Sequence, residues 1–325
     1  MANIQTLNFP DALKNLYERQ LLARGLPSLQ HGRWGRQATW KGYKTYELRK
    51  YGSLPLVSSS LTEGVTPDET TQMAATKIEM TPALYGAWLG YTDLQEMQSY
   101  DPLVGEAVEL LGEQAGLSFD TLLRSTLIAG ATADYAGTAT ARSEIDATND
   151  KITFSDWILN YAALEVANAR PVQGNKYVCI MHPYTWATLM QDPFFVTMLT
   201  RESASAYRNA AMGSVLNCDI YVSSNAATSA STVTVYHMLF IGWQSYGMAG
   251  FTGLVPNYNE GAGLGEYSNR TGEKHAPVRI IMKALGDSDF DPLEQRGTIA
   301  WKASHVAAVL NPDWLRNLEH ATVAS

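Results

Sequence analysis

Hydrophobic positions along the chain sort into regular elements in some stretches and conspicuously fail to sort in others. Residues 10–24 place Leu13, Leu16, Tyr17 and Leu21 on one face at three- and four-residue spacing, which predicts a short helix. Gly25-Leu26-Pro27 ends it, and residues 30–39, rich in Gly, Arg and Trp, read as irregular. Two strand-like arms follow, 43–51 and 70–80, joined by a long segment carrying Gly52, Pro55, Gly64 and Pro67. Neither arm shows the apolar-in, polar-out alternation of a strand resting on its own core. Tyr43, Thr45, Glu47, Arg49 and Tyr51 share one face of the first arm; Ala74, Thr76, Ile78 and Met80 share one face of the second. An isolated two-stranded ribbon is marginal in water. At about 3.3 Å per residue, such arms would project roughly 30 Å, and order on that scale implies a partner surface.

A long helix is predicted over 101–128. Asp101 and Pro102 supply a side-chain cap and a first-turn proline. Val104, Val108, Leu111, Ala115, Phe119, Leu122 and Leu123 form its apolar stripe, and Gly105, Gly112 and Gly116 would let neighbouring backbone come close. Glu106, Glu109, Glu113 and Asp120 lie towards its start and Arg124 near its end, matching the helix dipole. Residues 135–150 read as a loop. A second helix is expected from a Ser155 cap to Arg170, with Ile158, Leu159, Ala162, Ala163 and Val166 inward. Residues 177–181 are a buried strand, followed by His182-Pro183 and a helix to Met190; strands are expected at 219–223, 232–241, 278–285 and 298–309. Residues 251–277 read as a glycine-rich loop. The class is α+β.

The 325 residues are 46% hydrophobic, enough for a substantial core. No run of about 18 apolar residues suggests a membrane span, and the start lacks the pattern of a secretory signal. Charge is unevenly spread within a net of −8: residues 1–50 hold nine Lys/Arg against three Asp/Glu (+6), leaving 15 against 29 (−14) for the rest. A basic arm on an acidic body suits contact with the body of another copy better than nucleic-acid binding, since no nucleic-acid motif accompanies it. Cys179 and Cys218 read as buried free thiols.

Candidate chemistry is thin. Gly261-Ala262-Gly263-Leu264-Gly265 lacks the spacing of a dinucleotide or phosphate loop, leaving a nucleotide-binding enzyme as a remote alternative. Asp287, Asp289 and Asp291 have calcium-loop spacing, but Pro292 and Thr298 stand where that loop needs Gly and Glu, so a turn is the better reading. The histidines have no metal-ligand spacing; His182 reads as structural, and Cys179 with His182 makes a poor nucleophile pair.

Tyr51-Gly52-Ser53-Leu54-Pro55-Leu56 and Leu61-Thr62-Glu63-Gly64-Val65-Thr66-Pro67 resemble the major capsid proteins of tailed bacteriophages, specifically the phage N-four type. The resemblance continues in order through Asp101-Pro102, residues 110–116, Asp120-Thr121-Leu122, Ile180-Met181-His182-Pro183 and residues 291–302. It implies the Hong Kong 97 capsid fold: an N-arm at 1–36, an extended E-loop at 37–90, and a peripheral domain at 91–135 holding the spine helix 101–128. An axial domain at 136–262, late strands at 263–310 and a C-terminal tail at 311–325 complete it. It implies no enzyme activity, no cofactor and no membrane. The implied partners are further copies in hexameric and pentameric capsomers, portal and scaffolding proteins, with decoration proteins left open, and packaged DNA met non-specifically. Arg33, Trp34, Arg36, Arg49, Tyr51, Leu54, Leu56 and Glu63 are the expected subunit-contact residues, Arg49 and Glu63 foremost. An encapsulin-type nanocompartment, the same fold around a protein cargo, is the nearest alternative.

Overall fold

A computed structural model describes residues 30–38, 45–51, 75–99, 103–202, 213–250, 278–283 and 295–323, with residues 21, 54, 56, 60, 63, 64, 73, 267, 268, 274, 275, 285 and 293. In chain order, Arg36–Ala38 (β1), Tyr46–Tyr51 (β2), Ala75–Met80 (β3) and Ala83–Thr92 (β4) precede helices Asp93–Gln98 (α1) and Leu103–Gly130 (α2). Thr132–Tyr135 (β5), Phe154–Val166 (α3), Tyr177–Met181 (β6), Pro183–Leu189 (α4) and Pro193–Glu202 (α5) follow. Then come Ser214–Val215 (β7), Cys218–Val222 (β8), Thr228–Ala230 (β9), Thr234–Ile241 (β10) and Tyr246–Gly250 (β11). Tyr267–Ser268 (β12), Lys274–His275 (β13), Val278–Lys283 (β14), Arg296–Val309 (β15) and Leu315–His320 (β16) complete the chain.

Two sheets meet along α2. In the first, the 14-residue β15 pairs antiparallel with β4, β11 and β14, and β1 adds in parallel to β11. β15 alternates: Ile299, Trp301 and Ala303 are buried against Val108, Leu111, Ala115 and Phe119 of α2, while Thr298, Ala300, Lys302 and Ser304 point the other way. The apolar stripe expected on the long helix is therefore its sheet-facing side. At about 1.5 Å per residue its 28 residues span roughly 42 Å. Its second half carries Leu123 and Leu127 into a cluster with Val178 and Ile180 of β6 and Tyr246 and Met248 of β11. One helix thus ties both sheets together.

The second sheet runs β5-β16-β10-β6-β8-β7, with β9 on β10. β6 is buried at every position because it is covered on both faces. Val178 and Ile180 meet α2; Tyr177, Cys179 and Met181 meet a core built on Trp157, Leu164 and Phe195. The Trp157 ring lies edge-on to Phe195 and Phe240 at centroid distances of 5.6 and 5.1 Å.

Several local expectations are corrected. The second helix is capped by Thr153, not Ser155: Thr153 and Asp156 form a reciprocal capping box. It ends at Val166, not Arg170, because Asn168 takes a left-handed φ of 51° and the Ala169 and Asn168 N–H groups close back on the Leu164 and Glu165 carbonyls. Its inward face is Phe154, Trp157, Asn160 and Leu164, so the predicted inward residues Ile158, Leu159, Ala162 and Val166 face out. Trp157 and Phe154 bury more area than their aliphatic neighbours, and they decide which stripe turns inward. Residues 36–38, read as irregular, form β1. The Asp101-Pro102 cap, the Gly261–Gly265 loop and the aspartates at 287, 289 and 291 lie outside the described residues.

Candidate assembly surface

β2 and β3 pair antiparallel from Tyr46↔Met80 to Tyr51↔Ala75. Among the described residues the paired arms are six residues each, about 20 Å; residues 43–44, 70–72 and 74 of the expected arms lie outside the described residues. The faces also sort at the base, contrary to the sequence reading. Tyr46, Leu48 and Met80 are buried against Ala249, Val306, Ala308 and Leu310, while Glu47, Arg49, Lys50 and Tyr51 stay exposed. Sorting stops beyond Leu48, so the apolar anchor is confined to the base of the described ribbon. Lys77 sits between Glu47 and Glu79 at 2.5 and 2.6 Å, and these contacts, that with Glu47 first, raise its pKa. Lys50 Nζ donates to Asn311 Oδ1 at 2.8 Å, tying the ribbon to the chain after β15.

At the end of β2 and just beyond it, large apolar side chains are exposed: Tyr51 is 55%, Leu54 62% and Leu56 97% accessible. Glu63 is exposed in a turn with Gly64. Leucines left this bare in an otherwise well-cored protein make this stretch a candidate contact surface. Arg49, Tyr51, Leu54, Leu56 and Glu63 thus belong to one projecting element. Arg33 and Arg36 are exposed beside β1, away from that hairpin in sequence. Trp34 is half-buried, with its ring 4.9 Å from Tyr221, so it serves the subunit's own interior as well.

The N-terminal segment is fixed to the body by a buried carboxylate. Asp120 on α2 accepts the His31 backbone N–H (2.9 Å), pairs with His31 Nδ1 (2.9 Å) and accepts the Asn225 amide (2.8 Å). Arg124, one turn on, donates to both the carbonyl and side-chain oxygens of Asn225, and the Tyr246 hydroxyl donates to the His31 carbonyl. Gly112 opens the helix surface here: a Cβ would collide with the Leu21 carbonyl, so the expected close approach at this glycine is real. At Gly105 the space is open. One side chain thereby joins the N-terminal segment, α2 and the second sheet. Asp120→Ala would leave buried donors unpaired and is expected to cost about 3 kcal/mol or more, read as a fall of several degrees in Tm. Asp120→Asn, which keeps part of the hydrogen bonding, should lose less.

The remaining candidates resolve into structure. His182 caps α4, its Nδ1 accepting from the Tyr184 N–H at 3.2 Å with Pro183 next in the helix. Burial pushes the Cys179 thiol well above its ordinary pKa, the opposite of an activated nucleophile. Cys218 is also buried and free. Among the described residues no group of His, Cys, Asp or Glu could hold a metal ion, and no helix is long and apolar enough to cross a membrane.

The outward face of α3 went unread as a surface: Ile158, Leu159 and Val166, the last 82% accessible, form an apolar stripe that periodicity assigns equally well to either side.

The phage capsid protein family matches residues 75–317 of the chain. No curated protein sequence matches it. Among solved structures, the capsid of Ralstonia phage GP4 superposes with a TM-score of 0.64 at 14% identity, covering 90% of this chain and 88% of that one. The capsid of cyanophage Pam1 gives 0.61 at 12% identity, covering 94% and 93%. The holo-SrpI encapsulin complex from Synechococcus elongatus gives 0.54 at 10% identity, covering 100% and 94%. At these identities the superpositions carry the fold.

Proposed function

The chain belongs to the phage capsid protein family and is a major capsid protein, and from that premise we propose that its copies close an icosahedral shell of hexamers and pentamers around double-stranded DNA. The observation that supports this best is the hairpin: a ribbon anchored at its base and carrying bare leucines beyond it has no use within one subunit. In this reading α2 with the first sheet is the peripheral domain, and the second sheet with α3 to α5 is the axial domain. The N-arm is the segment held by Asp120, and the E-loop is the projecting hairpin. Arg49, Tyr51, Leu54, Leu56 and Glu63 reach a neighbour, with Arg33 and Arg36 contributing from the arm. Each contact is worth little alone, and repetition around a closed lattice sums many of them. Assembly takes place in the host cytoplasm with portal and scaffolding proteins. The assignment to the phage N-four type rests on the ordered sequence blocks. It is a structural role without catalysis.

Electron microscopy of the purified full chain is expected to show closed shells, and particles from phage-producing cells are expected to hold nuclease-protected DNA. Shells filled instead with a protein cargo would favour the encapsulin reading. Small soluble oligomers alone would overturn both.

A further inference from the structure

We propose that the free edge of β4 pairs antiparallel with the same edge of a second copy across a two-fold axis, so that the first sheet runs on from one copy into the next. The proposal rests on the shell reading and supplies a contact that reading needs. Head-to-tail contacts close rings, and rings become a shell only through a further contact between them. β4 pairs with β15 along ten residues, from Thr92 beside Arg296 to Ala83 beside His305. On its other side no strand pairs with it among the described residues. Residues Ala83–Thr92 include no charged residue and no proline. That sets this edge apart, because among the described residues the other terminal strands of the sheets are charged or short. β14 carries Arg279 and Lys283, β5 carries Asp134, β2 carries Glu47, Arg49 and Lys50, and β3 carries Lys77 and Glu79. Strands β1, β7, β9, β12 and β13 have three residues or fewer. Charge and shortness are the usual devices that keep a sheet edge from pairing with another chain. β4 has neither.

An uncharged edge is what self-pairing requires. When two identical strands pair antiparallel in one sheet, the two-fold stands perpendicular to that sheet and each copy's buried row continues the other's. A charged residue near the axis would then face its own like charge. Along β4, Tyr85, Ala87 and Tyr91 pack towards α2, and Leu84 and Trp88 alternate onto the opposite face. Leu89 belongs to the buried row and lies beside the buried Ile299, yet it is 41% accessible. A strand laid along the edge would cover it. Trp88 is 71% accessible, and a Cβ at Gly90 would meet its ring at 3.2 Å, so the indole leans along the strand over a residue with no side chain. Of the registers that match the two faces, one opposes aromatic to aromatic. It sets Trp88 against the second copy's Trp88 and Gly86 against its Gly90, with Tyr85 against Tyr91 and Ala87 against Leu89 on the buried side. Nine residues, 84–92, then form about 30 Å of ladder, and the aromatic cross-strand pairs add to it. An extended segment of another protein is the weaker occupant. Nothing along β4 would select such a segment by charge, whereas a second copy brings the matching row with it.

The test uses the full chain. Trp88→Lys and Trp88→Glu each set like charges face to face across the axis, and each is expected to cut shell yield about tenfold or more, leaving separate rings. The thermal melt of the dissociated subunit should not change, because residue 88 is exposed. Co-expressing the two variant chains should restore shells, since lysine then faces glutamate. Independently, Trp88→Cys should oxidise to covalent dimers, opposed Cβ atoms lying about 4.5–5.5 Å apart and the native cysteines being buried. If Trp88→Lys assembles at wild-type yield, the edge is no contact between copies and the proposal is wrong, even where those shells have lost another phage protein. If both charged variants fail and their mixture does not recover, residue 88 does not face itself and the proposal is equally wrong. Trp88→Cys chains that stay monomeric under oxidant would overturn it too. If the unmodified chain forms no shells, the shell reading falls, and the Trp88→Cys dimer decides this contact by itself.

Discussion

Deleting residues 52–67 is expected to leave a folded subunit that closes no shells. The segment contributes nothing visible to the interior: its described residues Leu54, Leu56, Ser60, Glu63 and Gly64 are all exposed. The stalk that remains keeps its anchor, because Tyr46, Leu48 and Met80 stay buried on Ala249, Val306 and Ala308. Shortening the connection between β2 and β3 from 23 residues to 7 changes loop-closure entropy by only about 1 kcal/mol, in favour of the folded chain. Circular dichroism and the thermal melt should therefore match the full chain within a degree or two. Assembly should drop from closed particles to none by electron microscopy, because every copy loses its reach to a neighbour at once. Normal particles from the deleted chain would refute the role given to the hairpin.

The long helix was legible because 28 residues give periodicity many turns in which to accumulate, and Val108, Leu111, Ala115, Phe119 and Leu123 fall on one side without competition. The strand at 177–181 was legible for a different reason: five apolar residues in a row, bounded by Gly174 and Pro183, are too short for a helix and suit a strand covered on both faces. The helix at 154–166 was misread because it has two apolar stripes. Nothing local says that Trp157, rather than Ile158 and Leu159, meets the core; Phe195 and Phe240, far along the chain, decide it. Strand β1 left no signal, since Arg36-Gln37-Ala38 is ordered by pairing with Gly247, Met248 and Ala249. The Asp120 junction was likewise hidden: the residue read as a dipole partner, while its ligands His31 and Asn225 lie 89 and 105 residues away. The hairpin was legible as two strand-like arms around a connection carrying Gly52, Pro55, Gly64 and Pro67, but its buried base was not, because Tyr46, Leu48 and Met80 sort only against Val306 and Ala308, far along the chain.

Acidification from pH 7.5 to 5.0 is expected to destabilise the dissociated subunit by about 4 kcal/mol, read as a lower urea midpoint. Burial holds His305 neutral, lowering its pKa to about 4, and its ring lies 5.3 Å from that of Phe119. Burial does the same for His320, lowering its pKa to about 3, although Nδ1 contacts the Leu318 carbonyl and Nε2 the Thr185 hydroxyl. His237 next to it is shifted in the same direction by burial, opposed by Glu319. In the unfolded chain a histidine titrates near the ordinary 6.5. Below that pH the unfolded state takes up a proton that the folded state refuses, so stability is full above 6.5 and falls as pH drops towards 4 for His305 and 3 for His320. At pH 5 each group accounts for about 2 kcal/mol of the loss. His305→Leu keeps an apolar side chain against Phe119 and removes one titrating group, so it should lose about half of the pH dependence while staying folded at pH 7.5. An unchanged slope in that variant would show that His305 is not one of the groups responsible. Because His305 lies in β15 of the first sheet and His320 in β16 of the second, their protonation loosens both sheets, and shells should lose subunits over the same pH window.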